Sequence, residues 1–486
     1  MVKSKFIDII KTFSPAELKQ FRDFLRSHFH NTNKNVIKLF EIIRKHAPDF
    51  NSQQLKKENL FKKLYPGKGY NDIVMRILIS DSLRLGEEYL AYSRFVSEPM
   101  EEKVLLLKEF SERNLNSLFD TMLKRSELKM SGSNILSELY FLDRMFMERQ
   151  KTEHNIKLDK QKLNGESLLK NGEYLISFFF LSLINITHDL HVHKDLYNLH
   201  SEFNIVDKFI GSFNLQSFMN ALEGSGYKYK NILKIYYFML LADLNIENND
   251  YYEAFKKIFF DNVNLFADEE KYELYLKLES IVIQKIERGN KCFYHELFEI
   301  YNELIKSKIY KTPKDPYMRI EMFRNIFFTG MAVNKMQWVK KFISECINEL
   351  SPEFRNNMLN QSLAYVCFVS KDFEKSLEYI TKVNYDLFVQ RADVKIMMLE
   401  IYYELSMFDA AYSLMDSFLK FVQKNKNLSV LFKKRYLEFS KIYRLLLNKK
   451  SGTVAIPIDE IEFEAVNSKQ ALSKSWLFEK IKELHK

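Results

Sequence analysis

His188, His191 and Asp195 stand at i, i+3 and i+7, a spacing that puts two imidazoles and a carboxylate on one face of a helix. These groups are transition-metal ligands. His193 and His200 fall on another face, and no second group of acids or thiols stands nearby to complete a shell. The expectation is therefore helix-surface histidine, with no metal and no cofactor. His295-Glu296-Leu297-Phe298-Glu299 begins like the zinc-protease helix H-E-x-x-H, but Glu299 stands where the second histidine is required. Gly67-Lys68 lacks the upstream glycine and the following Ser/Thr of a phosphate loop. Gly224-Ser225-Gly226 has no strand pattern before it to form a nucleophile elbow. No catalytic set stands out, and the expectation is a non-enzymatic chain, with an enzyme of unrecognised active site as the further alternative.

The elements that would position any of these residues are helices. The 486 residues contain only 12 Gly and 8 Pro, about a third of average usage, and none of the prolines lies between Pro99 and Pro313. Helix interiors exclude both residue types, whereas sheets and barrels need them at turns. The fold class predicted is all-α: an N-terminal helical bundle followed by a hairpin solenoid. Four regions are expected: a basic N-terminal helical domain over 1–100, irregular helices over 101–231, α-hairpin repeats over 232–447, and over 448–486 an extended linker with a capping helix. The linker is Thr453 to Ile458 and the final helix runs from about Ser468 to Leu484. Breaks are predicted at 129–134, 164–172 and 223–230.

Hydrophobic residues make up 46% of the chain and aromatics 15%, too apolar for disorder. The three cysteines, Cys292, Cys346 and Cys367, form no C-x-x-C pair, and the start MVKSKFIDIIKTF interrupts its apolar run with Asp8 and Lys11. Both features point to the cytoplasm. The most apolar run, Tyr174 to Ile186, is short of the ~20 residues that span a bilayer and predicts a fully buried helix. No membrane partner is expected.

Phe13-Ser14-Pro15-Ala16-Glu17-Leu18 reads as a helix start, with Ser at the N-cap, Pro at the first position and Glu three residues on. Further helices are expected at 36–46, 55–65 and 71–95. Residues 1–70 hold 15 Lys/Arg against 6 Asp/Glu, which is the entire net charge of +9. Such asymmetry attracts phosphate-bearing or acidic partners, and a solvated lysine face has the same composition. From Leu55 to Tyr92 the segment LFKKLYPGKGYNDIVMRILISDSLRL is similar to the helix-turn-helix of winged-helix bacterial activators. The resemblance implies nucleic-acid contacts from Arg76, Ser80 and Arg84, which share a stripe with Asp72, and from Lys62, Lys63 and Lys68. No strand pattern precedes these helices and none follows as a wing.

From Ile232 onward helices pair across short turns. An aromatic is followed three residues later by a small residue at Tyr251/Ala254, Phe373/Ser376 and Phe408/Ala411, an offset that lets two helices of a hairpin approach closely. Phe373 and Phe408 are 35 residues apart. At these residues the chain resembles the tetratricopeptide-repeat superfamily, whose unit is about 34 residues. LAYVCFVSKDFEKSLEYI and LEIYYELSMFDAAYSLM are the segments that carry the likeness, with Ser370 in place of the usual turn glycine. The resemblance implies a concave surface that receives a protein or peptide partner.

Overall fold

The computed structural model describes residues 4–97, 99–131, 136–197, 203–384, 388–425, 428, 430–468 and 471–485. Helix accounts for 79% of it, and no strand occurs among the described residues. The chain divides into two compact units, Met1–Gly132 with Phe146–Leu169, and Ser133–Met145 with Lys170–Lys486.

The first unit begins with helices Lys5–Lys11, Pro15–Arg26, Lys34–Ile43 and Lys57–Leu64 gathered on the long helix Asp72–Ser97. The helix start at Ser14 forms as its residues dictate. Ser14 Oγ accepts from Glu17 N at 3.2 Å, and Glu17 Oε2 accepts from Ser14 N at 2.7 Å. This reciprocal cap satisfies two donors that a helix terminus otherwise leaves unpaired. The core is aromatic: Phe21 packs edge-on to Phe40 at 5.0 Å and tilted to Tyr89 at 5.1 Å.

In the second unit the helices from Lys230 onward form antiparallel pairs. Lys230–Leu244 packs on Asn249–Asp261, and Asp268–Glu287 on Phe293–Ser307. Ile320–Ala332 then packs on Met336–Cys346, Pro352–Val369 on Phe373–Ile380, and Phe388–Glu404 on Phe408–Lys424. Small residues sit at several of the closest approaches. Ser376 and Ala411 are fully buried, Ser376 Oγ donating to Ala364 O at 2.8 Å. A methyl group on Gly330 would lie 2.7 Å from Val339 Cγ2. The leading helices of the pairs are also tied to one another across intervening elements. Arg324 Nε lies 2.7 Å from Asp393 Oδ2, and Arg435, on helix Val430–Ser451, reaches Glu287 at 3.0 Å.

Three expectations need correction. The break predicted at 164–172 lies inside one continuous helix, Gln161–Tyr197. Gly165 and Gly172 each cost about 1 kcal/mol there, but burial of Tyr174, Phe180, Leu181 and Ile184 on one face of the same helix outweighs it. The run Tyr174 to Ile186 is not fully buried, because neighbouring elements cover only that face: Leu175, Ile176, Phe179 and Ile186 stay about half exposed. The stretch Asn164–Lys194 is long and apolar enough by composition to cross a membrane, and a third of its apolar 18-residue window is buried. Finally, the C-terminal region forms two helices, Ile458–Asn467 and Lys474–Leu484, the last starting later than Ser468 because Ser473 adopts a left-handed φ of 49°. Trp476 on that last helix packs edge-on to Tyr403 at 5.3 Å.

Candidate functional site

All six N-terminal candidates, Lys62, Lys63, Lys68, Arg76, Ser80 and Arg84, are exposed on the first unit. The arginines of the polar stripe are engaged within their own helix, Arg76 with Asp72 at 2.6 Å and Arg84 with Glu88 at 2.5 Å. Lys63 donates to Gln54 Oε1 at 3.0 Å. Lys62, Lys63 and Lys68 remain a cationic surface beside the turn 65–69.

The expectation of helix-surface histidine fails for His188, which is buried because the helix packs against Lys230–Leu244, and the histidine pair there meets an acid that local spacing does not supply. Asp243, on helix Lys230–Leu244, is 1% exposed in its side chain. His191 Nδ1 donates to its Oδ2 at 2.6 Å, and His188 Nδ1 lies 3.3 Å from its Oδ1. Gln284 Nε2 donates to the same carboxylate at 3.4 Å. The Asp195 side chain and all of His200 lie outside the described residues. No group of three or more His, Cys, Asp or Glu among the described residues is arranged to hold a metal ion. Burial by itself would raise the Asp243 carboxyl, but the hydrogen bonds and charges of His188 and His191 hold it at about 2. The hydrogen bond to Asp243 raises His191 above its ordinary 6.5, against the opposing effect of burial.

The signs of these shifts set a pH window. Asp243 contributes stability that is present above its ordinary 3.8 and lost as pH falls toward about 2. His191 contributes stability that is complete below 6.5 and lost as pH rises through its elevated value. Asp243→Asn is expected to cost about 2 kcal/mol near pH 6. Urea unfolding across pH checks this, and the cost must shrink above the pH at which His191 loses its proton.

Around the failed zinc-protease motif the structure forms an open cleft of about 460 Å³. Its walls come from helices Asn249–Asp261, Asp268–Glu287 and Phe293–Ser307. Glu296, Glu299 and Glu303 stand at i, i+3 and i+7 and line one wall, because that spacing keeps them on one helix face. Phe260, Ile300 and Ile309 give the cleft apolar surface. Glu296 is neutralised by Lys256 at 2.6 Å and accepts from the Tyr252 hydroxyl at 2.7 Å. Lys271 is held by Asp268 at 3.0 Å. Among the described residues neither Glu299 nor Glu303 is in an ion pair, so the cleft presents two carboxylates that are not neutralised. Burial, with the charge of Glu303 adding, pushes the Tyr275 hydroxyl up to about 12, so it enters the cleft as a neutral hydrogen-bonding group. The arrangement suits an apolar side chain flanked by a cation.

Sequence reasoning met Glu299 only as the residue that breaks H-E-x-x-H. The three carboxylates on one helix face were the available signal; Lys256 and Lys271 reach the cleft from helices that only tertiary packing brings alongside. Comparison with protein-family profiles, with curated proteins and with solved structures finds no match.

Proposed function

We propose that this chain is a non-enzymatic interaction protein of the cytoplasm that binds a segment of a partner protein on the surface of a tetratricopeptide-like hairpin array. The observation that carries the reading is the open cleft between successive hairpins, with the carboxylates of Glu299 and Glu303 beside apolar Phe260, Ile300 and Ile309. Consecutive antiparallel helix pairs support the repeat reading, and three free cysteines are compatible with a reducing compartment. The segment taken has a large apolar residue next to Lys or Arg. Charge-assisted hydrogen bonds contribute about 1.5–3 kcal/mol each.

Panning a random peptide library on the full chain is expected to enrich that pattern. In fluorescence polarisation with an enriched peptide, E299Q/E303Q is expected to weaken binding at least about tenfold. Peptides without the pattern, or an affinity indifferent to the double substitution, would remove the cleft from the reading.

A second reading rests on the exposure of Lys62, Lys63 and Lys68: a nucleic-acid contact through phosphates. On that reading the affinity for duplex DNA falls with salt with a log–log slope of about −0.9 per phosphate contacted, and K63E lowers the slope by about one. Anisotropy titrations of the full chain at several salt concentrations measure it, and salt-insensitive binding, or none, excludes it.

A further inference from the structure

Along helix Gln161–Tyr197, the residues Ile176, Phe179, Leu183, Ile186 and Leu190 follow one another at alternating steps of three and four. This is the period of the apolar seam between two coiled helices. Here the seam faces outward. Ile176 is 50% exposed, Phe179 47% and Ile186 50%, and Leu183 and Leu190 are half-buried. The opposite face is already occupied, with Leu181 and Ile184 buried and Asn185 donating to Glu138, and Ser182, which flanks the seam on the same edge as Asp189, donates to the same carboxylate. Phe209, edge-on to Phe179 at 5.4 Å, and Phe213 stacked on it widen the apolar surface. An apolar patch of this extent on a soluble surface marks an interaction site, and a seam of this period is matched by another helix of the same period.

We propose that a second copy of this chain covers this face, its helix lying antiparallel to the first about a twofold axis. With Leu183 opposite Ile186 of the second copy, Phe179 falls opposite Leu190, and Glu173 falls beside Lys194 of the second copy at both ends of the seam. Glu173 and Lys194 are exposed, and among the described residues neither is in an ion pair. A parallel pairing would instead set Glu173 beside Leu168 and ask Asp189 to meet Lys194, although Asp189 is held by Lys277 at 2.5 Å. A lipid surface matches the seam less well, because the Glu173 and Asp189 carboxylates flank it and anionic headgroups repel them.

Light scattering coupled to gel filtration tests the proposal on the full chain. The expected mass is twice 58.2 kDa. I186E is expected to give the 58.2 kDa species with unchanged helical circular dichroism. E173K alone and K194E alone are each expected to weaken the dimer at least about tenfold by setting like charges against each other, and E173K/K194E to restore it. The charge variants keep the test valid should I186E not fold. A monomer at about 100 µM overturns the proposal, as does a dimer indifferent to I186E or to the charge swap. A monomer that co-floats with phosphatidylcholine/phosphatidylglycerol vesicles overturns it in favour of lipid.

Discussion

Replacing Glu400 by glutamine is expected to raise the stability of the second unit at pH 8 by about 4 kcal/mol and to leave it nearly unchanged near pH 4. Glu400 sits on helix Phe388–Glu404 and is 5% exposed, and its Oε1 has no hydrogen-bond partner among the described residues. Burial pushes its carboxyl up to about 8; the Ser473 hydroxyl bonded to it works against this, and the nearby charge of Glu404 works with it. Glu404 itself is satisfied, by Lys480 at 2.7 Å and by the Trp476 indole at 2.8 Å. Between its ordinary 4.5 and about 8 the folded chain therefore holds a proton on Glu400 that the unfolded chain has released. Stability must fall as pH rises through that window. Glutamine carries no titrating proton, so E400Q removes this part of the slope. Urea denaturation of both proteins from pH 4 to 8 reads the difference, and parallel pH profiles would show that Glu400 is charged in the folded state.

Asp393→Ala is expected to cost about 3 kcal/mol, and the partner substitution Arg324→Met in the same chain to recover most of it. The Arg324 and Asp393 side chains are only 25% and 16% exposed, and the guanidinium lies over the Phe328 ring at 5.0 Å. Removing the carboxylate leaves a cation that water reaches poorly. A neutral methionine can fill the guanidinium's place against Phe328 without that penalty. Because the pair joins helix Ile320–Ala332 to helix Phe388–Glu404, two hairpins further along the chain, the loss reports how tightly the leading helices are held together. Unfolding midpoints for the four proteins of the double-mutant cycle measure the coupling. Additive single effects would mean that the ion pair contributes nothing beyond its separate side chains.

The N-terminal helix start was legible because every part of it is local: Ser14, Pro15 and Glu17 satisfy one another within four residues. The small residues at the starts of the later helices were legible for a similar reason, since an i, i+3 offset fixes a shared helix face. Helical class followed from the scarcity of glycine and proline, which acts on the backbone wherever the chain goes. The histidine cluster shows where such reasoning stops. Helical period placed His188 and His191 on one turn, and Asp195 looked like their acid, but the carboxylate that joins them is Asp243, 52 residues beyond His191. The cleft shows the same limit, its glutamates set by helical period and its lysines brought in from neighbouring helices.

Sequence by itself determined that this chain is helical, where its capped helix begins, and which side chains share a helix face, because propensity, capping and period act over a few residues. Tertiary structure alone decided that helix Gln161–Tyr197 runs through Gly165 and Gly172, that only one face of Tyr174 to Ile186 is covered, and which acid meets which base. Those outcomes depend on which distant helix packs alongside. A buried face supplies enough apolar contact to override about 1 kcal/mol of glycine cost, and the partner of a buried charge is whichever group the packing brings within about 3 Å of it.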